Sequence, residues 1–398
     1  MEKLKEINFR EIYIYLLIFS AFVSISLFEI FIAVGLLITI HDLLKKNLKL
    51  GNLGKPLILF SSVSTLSTAL FNIKLINKGI EEGLFQLIYF FSLKNIKTHL
   101  LALRINYILI SFSIILIPIV IYKANKTGIP APIWGGVFEV GQFYSMFSIT
   151  SFLLSIYFFK REKKFVAILL LTLTFSFIGM VFFTHKRTAI LGLFIVFYIL
   201  LIVLVKNKIL NIRIFWAINI FLILSFIGGY WYLSKTDYRF QVLNELITGK
   251  RDIKNEYNLQ VVSSFRYGIM KDALHIVETD IKNKNYINLL IGHGINSGSY
   301  LPHHYSPKDY GKYESIFLLS EFIEIGLIGV LAELWLIFIA FKKFLQIRIT
   351  RHRDIYVVPL FIPLLIHLVG ITFTFFWDAL LPLYFLLYKI GEEHFYRF

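Results

Sequence analysis

The chain has 398 residues, 57% hydrophobic and 17% charged, with a mean hydropathy of +0.71, which excludes a soluble globular domain. Its formal net charge of +16 does not point to nucleic acid, because Lys and Arg fall in short runs between apolar segments, as membrane-flanking charge does. The absence of cysteine excludes disulfides, Cys-ligated zinc and thiol catalysis.

A membrane span takes ~20 apolar residues. On that length about twelve candidates follow in chain order, at 12–28, 30–44, 56–72, 83–93, 105–122, 139–159, 165–183, 188–205, 214–234, 314–341, 356–375 and 379–390. The first follows Lys3, Lys5 and Arg10 as in a signal peptide, but no small-residue cleavage site comes after it, so a retained helix is expected. Polar and apolar residues alternate too little for a barrel, so the spans are expected to be helices. The 41 Phe and 22 Tyr suit lipid-facing helices with aromatic belts. The expected fold is an all-α polytopic membrane protein in three parts: spans one to nine over 1–234, a large loop over 235–313, and spans ten to twelve over 314–398. No internal repeat is visible.

Charge sets the expected orientation. With a cytoplasmic N-terminus, 24 of the 41 Lys and Arg fall in cytoplasmic segments and 6 in short external connections. The other 11 lie in the long loop, which weighs little in the positive-inside rule. Both termini are therefore expected in the cytoplasm and the 235–313 loop outside. The tight hairpin in MVFFTHKRTAILGL then carries His185, Lys186 and Arg187 outward, against the charge rule.

An Arg at a helix start either snorkels to headgroup phosphates or grips an anionic ligand through paired hydrogen bonds, helped by the helix dipole. Arg187 is such a residue, with Lys186 and His185 beside it. Arg266, followed by Tyr267 and Lys271, lies in the loop segment SSFRYGIMKDALHIVETDI. There Phe265, Ile269, Ile276 and Val277 fall near one helical face, which predicts a helix lying along the membrane surface. His293, His303 and His304 follow, without HExxH or carboxylate spacing for a metal; each is either a polar loop residue or a general base. Glu314 stands at the mouth of the tenth span as a cap or a base, and Glu321 and Glu324 lie deeper, where carboxylates face a cavity or a partner.

Taken together, these features resemble the O-antigen ligase and polymerase superfamily of bacterial envelope glycosyltransferases. The resemblance covers most of the chain. It rests on the span pattern, THKRTAILGL, the Arg-bearing loop helix followed by IGHGINSGS, the E-x-G-x-x-G of Glu324, Gly326 and Gly329, and IWGGVFEVGQF before the sixth span. It implies a GT-C-like, metal-independent, inverting transfer on the periplasmic side of the inner membrane, with no cofactor. The donor implied is a glycan on undecaprenyl pyrophosphate and the acceptor a lipid A-core or glycan hydroxyl. Arg187 and Arg266 would hold the pyrophosphate, with Lys186, His185 and His293 in support, and Glu314, His303 or His304 would take the acceptor proton.

The chain departs from the ligase pattern at one point. Ligases carry a His eleven residues before the helix Gly, where this chain has Ser315 beside Glu314, a pair closer to the polymerases. The His-rich loop favours a ligase, with a polymerase as the second reading. A lipid-linked glycan transporter is a third, disfavoured by the absent repeat and the single dominant loop.

Overall fold

The computed structural model describes residues 8–45, 50–306, 318–371 and 376–396, and no strand occurs among them. Glu314 and Ser315 lie outside the described residues. α1 (Phe9–Val23) and α2 (Ile25–Leu44) form a hairpin turned at Ser24, whose extended backbone ends one helix and whose hydroxyl caps the next. α3 (Gly54–Phe71) and the short α4 (Ile76–Leu84) follow, then α5 (Thr98–Thr127), α6 (Val137–Phe159), α7 (Lys164–Phe183), α8 (Arg187–Lys206) and α9 (Ile212–Thr236). A segment of four short helices comes next: α10 (Tyr238–Ile247), α11 (Glu256–Ser263), α12 (Arg266–Lys282) and α13 (Tyr286–Ile291). α14 (Leu319–Leu345), α15 (Ile362–Gly370) and α16 (Leu381–Phe395) complete the chain.

The protein is an all-helical, polytopic membrane protein. Eight helical stretches among the described residues, rather than twelve, are long and apolar enough to cross a membrane: α2, α5 to α9, α14, and the run His352–Gly370 that ends in α15. The expected span at 83–93 is instead the end of α4 and a 3-10 turn, Phe85–Phe90. Its apolar residues Ile88, Tyr89, Phe90 and Phe91 are buried in protein, so that run fills the core and does not face lipid. α1 and α16 are each 15 residues long, short of the ~20 that a span takes.

α6 is the hub. Nearly every residue from Val140 to Ser155 is buried, and small hydroxyl residues line it. Ser145, Ser148, Ser151 and Ser155 each donate back to a carbonyl three or four residues earlier, so these hydroxyls are satisfied within the helix and neighbouring helices come close. Ser151 Oγ also meets Thr174 Oγ1 of α7 at 2.9 Å.

α14 is broken at Gly326, whose φ of 65° and ψ of −170° only glycine adopts without strain. The loop after α13 fits into the break. His293 N donates to Ile323 O at 2.8 Å and Gly294 N to Glu324 O at 2.9 Å, so carbonyls released by the break find donors. The approach leaves no room for side chains: a Cβ on Gly292 would lie 2.2 Å from Glu324 O, and one on Gly326 would lie 2.4 Å from Ile291 N. The Gly-His-Gly and Glu-x-Gly segments are thus one packed unit.

α12 does form where expected, but its apolar face turns inward. Ile269, Ala273 and Ile276 pack with Ile323 at the start of α14, and Val277, Leu301 and Leu319 close the cluster. The face expected against lipid is therefore used by the protein's own loop and by α14. Phe265, expected on that face, precedes the helix in a left-handed conformation and stays exposed.

Candidate functional site

The α7–α8 hairpin turns in three residues. Thr184 closes α7, His185 adopts φ 54°, Lys186 is extended, and Arg187 opens α8. α6 starts against this turn: a Cβ on Gly141 would lie 2.8 Å from Ala189 Cβ and 3.6 Å from Lys186 Cβ. The glycines before Glu139 let its carboxylate fold back onto Gly136 N, at 2.6 Å, and cap the helix.

Arg187 reaches across to the α11–α12 junction. Its Nη1 donates to Val262 O at 2.7 Å and its Nη2 to Ser264 Oγ at 2.8 Å, while Phe240 of α10 lies under the guanidinium at 5.8 Å. The junction is strained, since Ser264 and Phe265 are consecutive non-glycine residues at φ 55° and 66°. That kink ends α11 and starts α12 at Arg266.

A further arginine, not singled out from the sequence, joins them. Arg239 is fixed on Asp237 by bonds of 2.5 to 3.2 Å, and its Nη1 shares Ser264 Oγ with Arg187, at 3.3 Å. Burial and the bonds to Arg239, acting in opposite senses, leave Asp237 below the usual carboxylate range. Lys186 is held below its ordinary value of 10.5, first by burial and then by Arg266 and Arg239, with Glu139 opposing. Among the described residues, Lys186, Arg187, Arg239 and Arg266 therefore share one small region with the carboxylates Asp237 and Glu139, so cations outnumber anions there.

The other expected residues have different positions. His185 turns its ring toward Tyr232 of α9, 6.1 Å between centroids. His293 Nε2 meets Asp280 Oδ2 at 2.7 Å and its Nδ1 meets Asn288 at 3.1 Å, so it braces the loop that enters the α14 break. The His303 side chain is largely covered, with both ring nitrogens engaged, by Gly298 O at 2.7 Å and Ser306 Oγ at 2.8 Å. In this arrangement the ring ties the turn together. His304 packs edge-on against His275, and its backbone N donates to Asp272 Oδ1 at 2.6 Å. Asp272, fully buried on α12, also accepts from Tyr305 N and Ser306 N, both at 2.9 Å. One carboxylate thus holds the whole His303–Ser306 turn.

A second polar group lies behind α6. His367 Nε2 donates to Phe376 O at 2.7 Å, and its Nδ1 faces Asp378 Oδ2 at 4.0 Å. Those two acceptor atoms, Gln142 Nε2 and Tyr384 Oη are buried without a hydrogen-bond partner. Burial, partly offset by the bond from Leu380 N, pushes Asp378 up to about 7, and Glu139 adds to the rise.

No family model matches the chain. A protein of Aquifex aeolicus (strain VF5), described as an uncharacterized protein, is 48% identical over 383 residues, covering 96% of each chain. The chain belongs to the same family as that protein. At this identity over nearly the full length, the helical architecture is shared by the Aquifex relative, whose description assigns no activity.

Proposed function

We propose that the protein is an O-antigen ligase-like glycosyltransferase that moves a glycan from undecaprenyl pyrophosphate to a lipid A-core hydroxyl. The observation that carries this reading is the convergence of Lys186, Arg187, Arg239 and Arg266 at the α7–α8 turn. Departure of a pyrophosphate builds negative charge, and fixed guanidinium groups in a water-poor site stabilise that charge as it forms. The support at Asp237, Val262 and Ser264 keeps two of the arginines oriented before the donor arrives. An apolar cavity of about 640 Å³ lies between α6, α7, α8 and α9, toward their ends at Lys160 and Ile209, away from the α7–α8 turn.

In this mechanism the acceptor oxygen attacks the anomeric carbon, the bond to the pyrophosphate oxygen breaks, and the acceptor proton passes to a base. We assign that base to Glu314, five residues before α14 in the sequence, to His304, or to Asp378 in the buried polar group, because both ring nitrogens of His303 are engaged. The commitment of His303 also favours a second reading, a polymerase that joins repeat units on the same carrier. Here the His-rich loop no longer argues for a ligase. The glycan profile of a deletion strain decides. A lost ligase leaves long polymer on undecaprenyl pyrophosphate, a lost polymerase leaves core capped with one repeat, and an unchanged envelope glycan contradicts both.

A further inference from the structure

Glu333 lies fourteen residues into α14 and takes no part in the site above. It is 0% exposed, and both of its carboxylate oxygens lack a hydrogen-bond partner. A cavity of about 30 Å³ adjoins it, walled also by Glu82 of α4, by Glu321, Glu324 and Ser320 of α14, and by Trp377. A full charge so placed, with no donor, is strongly disfavoured relative to the neutral acid. A volume of ~10–15 Å³ holds one water, so the cavity has room for about two.

The neighbouring charges point the same way. Glu321 and Glu324 are close enough to act on Glu333 electrostatically, and both have the same sign. Glu321 accepts from Phe376 N at 2.6 Å and Ser320 Oγ at 2.7 Å, and Glu324 from Asn296 N at 2.8 Å. Among the other elements packed near α14, α3 carries only Lys55, in its first turn, and α13 only the exposed Tyr286. From α12, Asp280 is paired with His293 and Asp272 holds the His303 turn. His367 of α15 and Tyr388 of α16 bond the carbonyls of Phe376 and Ala340. None of these is a cation bonded to Glu333. Among the described residues, no three acidic or His side chains are arranged to hold a metal ion.

We propose that this cavity is a proton-binding site within the membrane, at which Glu333 takes up and releases a proton through the enclosed water. Glu82 gives it a route outward. The adjacent Glu81, bonded to Lys78 at 2.8 Å, lies at the more exposed side of α4, and Lys78 Nζ sits 5.7 Å over the Trp377 ring that walls the cavity. Uptake converts the carboxylate to the acid with a proton from solvent, and release reverses it. The assignment is independent of glycosyl transfer.

The test is reaction of the full-length protein in liposomes with dicyclohexylcarbodiimide, an apolar reagent that modifies protonated carboxyl groups, read by peptide mass spectrometry. Glu333 is expected to be modified, with a yield that falls about tenfold per pH unit above its own pKa and is unchanged by Na⁺ or K⁺ at fixed pH. No modification at any pH overturns the proposal. So does suppression by Na⁺ or K⁺ at fixed pH, which identifies a metal-cation site. Infrared difference spectra between acid and alkaline pH supply a second measurement: a carboxylic C=O band present in the native protein and missing in Glu333→Gln supports the assignment, and the same band in both overturns it.

Discussion

In the proposed mechanism Arg187 combines two duties, because two of its donors hold the α11–α12 junction while the rest of the fork would serve the pyrophosphate. Replacing it by Ala should lower transfer about 10²–10³-fold, the range for loss of one preorganised donor to developing charge. Arg187→Lys should recover little, because an ammonium cannot reproduce the fork. Arg239→Ala should cost a similar factor with the protein still folded, measured by turnover alongside thermal unfolding. Lys186 adds a pH signature. It is charged below its pKa, which the fold has lowered, so donor affinity should begin to fall on the alkaline side before the ordinary lysine range is reached. Stability alone runs the opposite way, rising as pH passes upward from the lowered folded pKa toward 10.5, because the folded state disfavours the charged form. Lys186→Arg should remove the alkaline fall in affinity, and a binding titration across that range checks it.

At the scale of elements, the break in α14 and the Gly-His-Gly loop depend on each other. Gly326→Ala should destabilise the protein by about 2 kcal/mol or more, from backbone strain and the clash at Ile291 N. Gly128→Ala, at a left-handed helix cap where a Cβ meets nothing, should cost less, and thermal melts in detergent compare the two. Asp272→Asn should release the His303–Ser306 turn, with a loss of about 2–3 kcal/mol and faster proteolysis there. The sequence made the α7–α8 hairpin legible, because the short polar run Thr184–Thr188 interrupts two long apolar runs. Arg266 was legible as a helix residue and His303 as a polar loop residue, but not what they face. Arg239 was hidden because an Arg two residues after an Asp looks like a local ion pair, which it also is. Its second contact, to Ser264, depends on a left-handed backbone at a residue that gives no such signal. Asp272 was hidden for a similar reason, since its partners are backbone N–H groups 32 to 34 residues away.

For the whole molecule, hydrophobicity predicted a membrane protein with twelve spans, where eight stretches among the described residues are long and apolar enough; runs such as 83–93 are apolar for the core's sake. Composition does not distinguish lipid from a protein interior, and both select Phe and Leu. The chain's lack of cysteine makes topology directly measurable. With a membrane-impermeant maleimide, Lys250→Cys should label from outside intact cells and Glu162→Cys only after lysis; the reverse pattern would invert the orientation read from charge. The central claim is that the cationic group at the α7–α8 turn holds a lipid pyrophosphate while its glycan is transferred. It is tested most directly by giving the purified protein in liposomes an undecaprenyl-pyrophosphate-linked glycan and a lipid A-core or repeat-unit acceptor. The account predicts free undecaprenyl pyrophosphate and glycosylated acceptor in equal amounts, abolished together by Arg187→Ala. Donor left intact by the native protein, or equal turnover by native protein and Arg187→Ala, would contradict it.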